Sequence, residues 1–322
     1  MPEPRLDASY VLPLRWSDDG PLDDLTAYLR TLATRVEVIV VDGSPAERFA
    51  AHHRAWAWFS YHMPPDPRFE FLNGKVNGVL TGLRQAGHEA VVVADDDVRY
   101  RWEELEHVVS ALDSADVVRP QNYFSPLPWH ARWDTARILL NRATGGDLGG
   151  TLGVRRSTLV RLGGYDGDVL FENLELMRTV EAAGGVVRHE PGCLVGRLPP
   201  TTSHFVGQRV RQAYDEWARP ARMVAGLALL PSVAWLTARR RLAPLAAGTA
   251  ATVAIAEAGR RRDGGRSRFP ATSSLLAPAW VAERAVCSWL ALARRATGGC
   301  PYAGARFVRA ATPARRLRRM AE

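Results

Sequence analysis

Over the first 190 residues, short β-branched runs alternate with segments of helical period, and this alternation limits the fold more than any other feature. "SYVLPLRW" (9–16) reads as a strand, and Leu22, Leu25, Leu29 and Leu32 then recur at helical spacing. "VEVIVVDGS" (36–44) is a second strand ending in a turn, "FEFLNG" (69–74) is a short run, and "KVNGVLTGLRQAG" (75–87) is a helix with a glycine stop. The buried strand 90–94, a helix over 101–114 and the strand "DVVRPQNY" (116–123) continue the series. Strands interleaved with helices predict an α/β fold, a mostly parallel sheet flanked by helices on both faces. Functional residues in such sheets gather at the carboxyl ends of the strands. Asp42 and the triplet Asp95, Asp96 and Asp97 all stand at such ends, which places them at one cleft.

The chain changes character after residue 218. Residues 219–322 hold 19 arginines and 4 acids, a balance of +15 within a net charge of +8, so the front part is acidic at −7. That split predicts two regions, 1–218 and 219–322, with different partners. "MVAGLALLPSVAWLTA" (223–238) and "LAPLAAGTAATVAIA" (242–256) are apolar but shorter than the roughly 20 residues a bilayer-spanning helix needs. Crossing twice would also put "ARRR" (238–241) on the outer side, against the positive-inside tendency. Interfacial or re-entrant helices are therefore expected, with Trp235, Trp280 and Trp289 at headgroup depth and arginines on anionic lipid; a soluble helical subdomain is the alternative. Three cysteines without a CxxC pair and an N-terminus without an apolar signal core point to a reducing compartment, hence the cytoplasmic side of the membrane. No nucleic-acid module is recognisable in the tail.

Three adjacent aspartates at the end of a buried strand repel one another unless a positive group, most simply a divalent cation, sits among them. Asp95 and Asp97, two residues apart, can share Mg²⁺ or Mn²⁺ with a nucleotide diphosphate, while a solvated helix cap is the plainer account. A phosphatase-type nucleophile is excluded because Arg99 occupies the position where Thr or Val is required. Asp42 in "VVDGS" could meet a nucleobase or ribose, or cap a turn with Ser44. Lys75, the single lysine of the chain, opens a helix where a phosphate could bind, without the spacing of a P-loop. In "DGDVLFENLELMRTVEAAGG" (166–185), Glu172 could be a general base or merely complement a helix dipole. Gln208 and Arg211, one helical turn apart, could grip a leaving diphosphate or form a solvated face.

The order of these pieces, strand–"VDGS", "GKVNG", strand–"DDD", "GYDGDVLFENLEL" and "QRVRQ", resembles the family 2 glycosyltransferases of GT-A fold. The resemblance covers residues 8–218 and is nearest to the membrane-bound branch that includes the ceramide glucosyltransferases. It implies that Asp42 contacts the base and that Asp95 and Asp97 hold the metal. It also implies that Asp95, Gln208 and Arg211 bind the donor and that Glu172 takes the acceptor proton, and Lys75 and Asp96 are expected beside them as donor contacts. The implied activity is inverting, metal-dependent transfer of a sugar from a nucleotide donor, a UDP-sugar first among them, to a hydroxyl of a lipid or glycan at the membrane surface. Two departures stand out: Asn173 replaces the usual base aspartate, and Gln212 replaces the tryptophan that follows the motif's arginine. The competing classes are a degenerate fold that only binds, using its basic tail, and nucleotidyl transfer. The latter would want a Gly-rich, Arg-containing loop where "LPLRWSDDG" stands.

Overall fold

The computed structural model describes residues 5–17, 20 and 22–321. Eight strands form one sheet: β1 (Ala8–Leu14), β2 (Glu37–Asp42), β3 (Tyr61–Met63), β4 (Ala90–Ala94), β5 (Val98–Arg99), β6 (Val117–Phe124), β7 (Thr151–Arg155) and β8 (Val187–Arg197). Their spatial order is β3-β2-β1-β4-β7-β6-β8-β5. The half β3-β2-β1-β4 is parallel, β7 runs antiparallel to both its neighbours, and β6 and β8 pair in parallel. Leu14 pairs with Asp42, so β1 and β2 end level with each other, and the triplet follows directly on β4.

Alternation along each strand builds two cores. Tyr10, Leu12, Val38, Val40 and Val92 face one way, against α1 (Leu22–Ala33), α2 (Ala46–Trp56) and, further along the chain, the helix Trp102–Ala111. Val11, Ile39, Val41, Val91 and Val93 face the other way, against α3 (Gly74–Gln85) and the helix Glu172–Ala182. Helix α3 lies unusually close to the sheet: a Cβ on Gly82 would stand 2.3 Å from Val11 Cγ1, and one on Gly78 2.8 Å from Pro13 Cβ. That approach delivers the helix's first turn, with Lys75, to the carboxyl end of β4. Continuing in chain order, α4 is Trp102–Ala111, α5 Trp129–Ala143, α6 Arg156–Arg161, α7 Glu172–Ala182 and α8 Thr202–Tyr214, which ends in a 3₁₀ turn at Asp215–Ala218.

Beyond residue 218 come α9 (Pro220–Ala238), α10 (Leu242–Arg261), α11 (Ala271–Leu275), α12 (Ala277–Ala296), the hairpin β9 (Cys300–Tyr302) and β10 (Ala305–Phe307), and α13 (Ala314–Ala321). Helices α9 and α10 outrun the apolar stretches read from the sequence. At 19 and 20 residues, with mean hydropathy 1.4 and 1.3, they are long and apolar enough to cross a membrane, and only 6% and 11% of those windows are buried. Length therefore does not argue against crossing, as the shorter apolar runs did. Helix α12 differs: its face of Ala277, Trp280, Arg284, Cys287 and Ala291 is buried. Trp280, expected at headgroup depth, is 8% exposed against Phe124 and Leu194, whereas Trp235 is 51% exposed. The segment after α12 returns to the first region, where Phe307, Cys300 and Ala310 share a core with Leu170, Tyr214 and Met223.

Candidate active site

Two clefts meet at the carboxyl end of the sheet. The first, about 560 Å³, is walled by Pro13–Ser17, Leu72–Lys75, the triplet and, from the C-terminal hairpin, Tyr302, Ala303 and Phe307. The second, about 210 Å³, lies between α5, α8 and α12 and includes Asp134, Gln208, Arg209, Gln212, Asp215, Glu216 and Arg284. Six residues line both: Asp95, Asp97, Glu172, Arg197, His204 and Arg211. These six mark the junction where groups held in the two clefts would meet.

The positive charge required by the triplet comes from two side chains. Lys75 Nζ lies 2.6 Å from Asp95 Oδ1 and 2.9 Å from Glu172 Oε1. Arg197, at the end of β8, stands 2.7 Å from Asp97 Oδ2 and 3.4 Å from Asp95 Oδ2. Burial pushes Asp95 up, but Lys75 and Arg197 outweigh it and hold the carboxyl below its ordinary value. Asp97 goes the other way: burial, with Asp95 and Asp96 adjacent, outweighs Arg197 and raises it to about 6. Its Oδ1 is shielded from solvent and has no hydrogen-bond partner. A raised carboxyl with one free oxygen is what a divalent cation would complete, so the donor set fits a metal at this atom. Asp96 instead accepts from Trp16 Nε1.

Glycines make room for this arrangement. A Cβ on Gly150 would stand 2.4 Å from Asp95 Oδ2, while its nitrogen donates to Asn122 Oδ1 and its carbonyl accepts from Asp95 N. Asn173, where the family has an acid, donates to the Gly149 carbonyl at 2.9 Å, and so braces the same turn.

Asp42 does not face the cleft. It is 1% exposed: Ser44 N donates to Oδ1, and His52 Nδ1 and His62 Nε2 donate to Oδ2 at 2.6 and 3.1 Å. Burial raises its pKa, yet the hydrogen bonds from His62, Ser44 and His52 win and bring it to about 2. The expected contact between Asp42 and a nucleobase is therefore closed in this structure, because both oxygens are taken. Ligand atoms of Asp42, His52 and His62 lie within 4.8 Å of one another, a spacing that could also hold a metal ion. Hydrogen bonding among them already accounts for the cluster, with His62 Nδ1 3.0 Å from His53 Nδ1.

Gln208 and Arg211 pair with each other at 3.0 Å, and Arg211 lies 4.3 Å from the centre of the Tyr302 ring. Gln212 accepts from Arg209 at 2.7 Å and from Arg284 at 3.3 Å, so the residue replacing the family's tryptophan orders two arginines. The other acids near Glu172 hold structure together. Asp168 accepts from Leu72 N, and the buried Glu175 accepts from Thr312 N at 2.6 Å. Sequence reasoning missed Arg197, His204, Asp215 and Arg284. Of these, Asp215 alone had an available signal, an acid one turn beyond the Gln208–Arg211 pair.

Comparison with known proteins bears on the fold. Residues 22–159 match the model of glycosyl transferase family 2. A mannosyltransferase from Pyrobaculum calidifontis, solved with GDP-mannose and Mn²⁺, shares the fold at a TM-score of 0.55 and 19% identity, covering 88% of this chain and 87% of that one. Glucosyl-3-phosphoglycerate synthase from Mycobacterium tuberculosis aligns at a TM-score of 0.41 and 15% identity over 62% of this chain and 74% of the other. Among curated proteins no sequence matches.

Proposed function

We propose that this chain, a glycosyltransferase by its family 2 domain at residues 22–159, moves a sugar from a nucleoside diphosphate donor to a hydroxyl of a membrane-associated acceptor, with inversion. The observation that carries the reading is the junction itself. Asp97 Oδ1 lacks a partner beside Arg197 and Arg211, where a diphosphate and its metal ion have room and complementary charge. The P. calidifontis mannosyltransferase, similar in fold, holds a nucleotide-sugar and Mn²⁺, which supports a divalent ion here.

In this mechanism Asp97, through its unpartnered Oδ1 and with Asp95 beside it, would hold the ion. When bound, the ion neutralises charge gathering on the leaving diphosphate. Arg197 and Arg211 line the same junction, and their guanidinium groups would act where negative charge develops as the glycosidic bond breaks. Lys75 ties Asp95 to Glu172 and so fixes the spacing between the donor end and the acceptor end of the junction. Glu172 is the carboxylate to which the sequence points for the acceptor proton, but Lys75 engages one of its oxygens, which leaves it underprovided for that role. The base of the donor lies against Pro13–Ser17 and Leu72, since Asp42 is sealed beneath. The exposed apolar helices α9 and α10, joined by Arg239, Arg240 and Arg241, set the second cleft against a lipid surface, with the catalytic face on the cytoplasmic side.

Thermal stabilisation by UDP- and GDP-sugars with Mn²⁺, followed by nucleoside diphosphate release, tests the reading. Donor-specific stabilisation that requires Mn²⁺, together with release, is the expected result. Absence of both would contradict it.

A further inference from the structure

Two features leave the expected base underprovided. Glu172 Oε1 is bonded to Lys75, and Asn173 is a donor to a carbonyl. A third carboxyl faces the second cleft just beyond the junction. Asp215 caps the C-terminal end of α8, one turn past Arg211, and its Oδ1 is shielded from solvent without a hydrogen-bond partner. It shares that cleft with other unpartnered atoms: Glu216 Oε2 on one side, and Arg284 Nε and Nη1 on the other. Arg284 is 8% exposed; its guanidinium donates to Gln212 and lies over the Trp280 ring. A surface of unpaired acceptors and unpaired donors suits a ligand that is both at once. Hydroxyl groups are, and a sugar presents several on one ring.

We propose that the second cleft binds a sugar hydroxyl as acceptor and that Asp215, through Oδ1, takes its proton. The inference rests on the transferase reading and deepens it. The acceptor oxygen forms a bond to the anomeric carbon while the bond from that carbon to the donor phosphate breaks. The bonding pair leaves on the nucleoside diphosphate, and the acceptor proton ends on Asp215. Placement favours this residue over Glu172, since Asp215 lines only the acceptor side of the junction. The groups that face it are Arg211 of α8, Glu172 of α7, Glu216 of its own turn, Arg284 of α12 and Cys300 of β9. Burial raises Asp215 to about 6, with Glu172 and Glu216 adding to it and Arg211 and Arg284 opposing. A base of that strength is ionised at neutral pH and still binds a proton well.

The test is nucleoside diphosphate release from UDP- and GDP-sugars by the full chain with Mn²⁺, water serving as acceptor, across about pH 4.5–8. Release should rise as pH passes upward through about 6, because the base must be deprotonated. Asp215→Asn should lower release by about 10²–10⁴-fold and erase that limb while keeping donor-induced thermal stabilisation. Glu172→Gln should keep the limb. A limb due to Asp97 would survive in Asp215→Asn, and that survival, or near-full release by the variant, overturns the proposal. Loss of the limb in Glu172→Gln alone overturns it equally. Should Asp215→Asn not fold, Asp215→Glu decides: a displaced limb supports the proposal and an unmoved one overturns it. Wild-type protein that neither binds nor cleaves a donor overturns the transferase reading, and this inference with it.

Discussion

Asp42 shows how a residue of the expected type can be put to a different use. Its carboxylate is satisfied by Ser44, His52 and His62, away from the first cleft, and its pKa is held at about 2 against an ordinary 3.8. A depressed folded-state pKa contributes stability that is present above the unfolded value and is lost as pH falls through the folded one. Asp42→Asn should therefore cost roughly 1–2 kcal/mol at neutral pH. The difference from wild type should shrink between about pH 4 and 2, read by urea unfolding at several pH values. Gly150 supplies the complementary case. With its added Cβ 2.4 Å from Asp95 Oδ2, Gly150→Ala should displace Asp95 or Arg197 and lower turnover at least about tenfold, while melting changes little. Turnover unchanged in that variant would mean that the position of Asp95 is not critical.

Among the elements, the C-terminal hairpin and α9–α10 hold opposite places. The hairpin is a wall of the first cleft, and its neighbours lock it: Tyr214 donates to the Val308 carbonyl at 2.8 Å, and Phe171 N to the Ala310 carbonyl at 2.8 Å. Phe307, fully buried, anchors it, so Phe307→Ala should cost about 3–5 kcal/mol and weaken donor affinity as well, measured by denaturation and by donor titration. The distal halves of α9 and α10 are exposed, and their tip brings Trp235 beside Arg241. Trp235→Glu with Leu242→Glu should release the protein from anionic vesicles without changing its melting temperature, as both side chains lie outside the core. Continued vesicle binding by the double variant would place the membrane contact elsewhere. The elements differ equally in what the sequence revealed. The strand 90–94 and the helix of Leu25, Leu29 and Leu32 are local patterns, and both are found where periodicity put them. β3 is three residues long, too short to carry a period, and the short run that starts at 69 is a loop over 69–73 leading into α3. Arg197 reaches Asp97 across a separation of 100 residues, and Thr312 reaches Glu175 across 137. Contacts of that range depend on how the sheet closes, and no local spacing announces them. Lys75 was legible for a different reason: one lysine in a chain that otherwise uses arginine marks its position before any fold is known.

At the scale of the molecule, an acidic domain and a basic tail are joined more closely than their charges imply. Residues 219–322 contribute an exposed apolar pair of helices, Arg284 in the second cleft and a returning segment that walls the first. Donor and acceptor would thus enter from different sides and meet at Asp95, Asp97, Glu172, Arg197, His204 and Arg211. The fold was legible because alternation of strands and helices leaves few solutions. The cleft was legible at the triplet, because the carboxyl end of a strand opens onto it; Asp42, at the end of β2, does not face it. How the tail closes over that cleft was not legible, since composition left its helices between membrane elements and a soluble helical subdomain. The central claim is that the junction handles a nucleotide-sugar with a divalent ion at Asp97. The most direct measurement is nucleoside diphosphate release from UDP- and GDP-sugars by the full chain, in Mn²⁺ and after chelation, for wild type and Asp97→Ala. The account predicts release in Mn²⁺ from wild type only, abolished by chelation and absent in the variant. Release that survives both chelation and Asp97→Ala would contradict it.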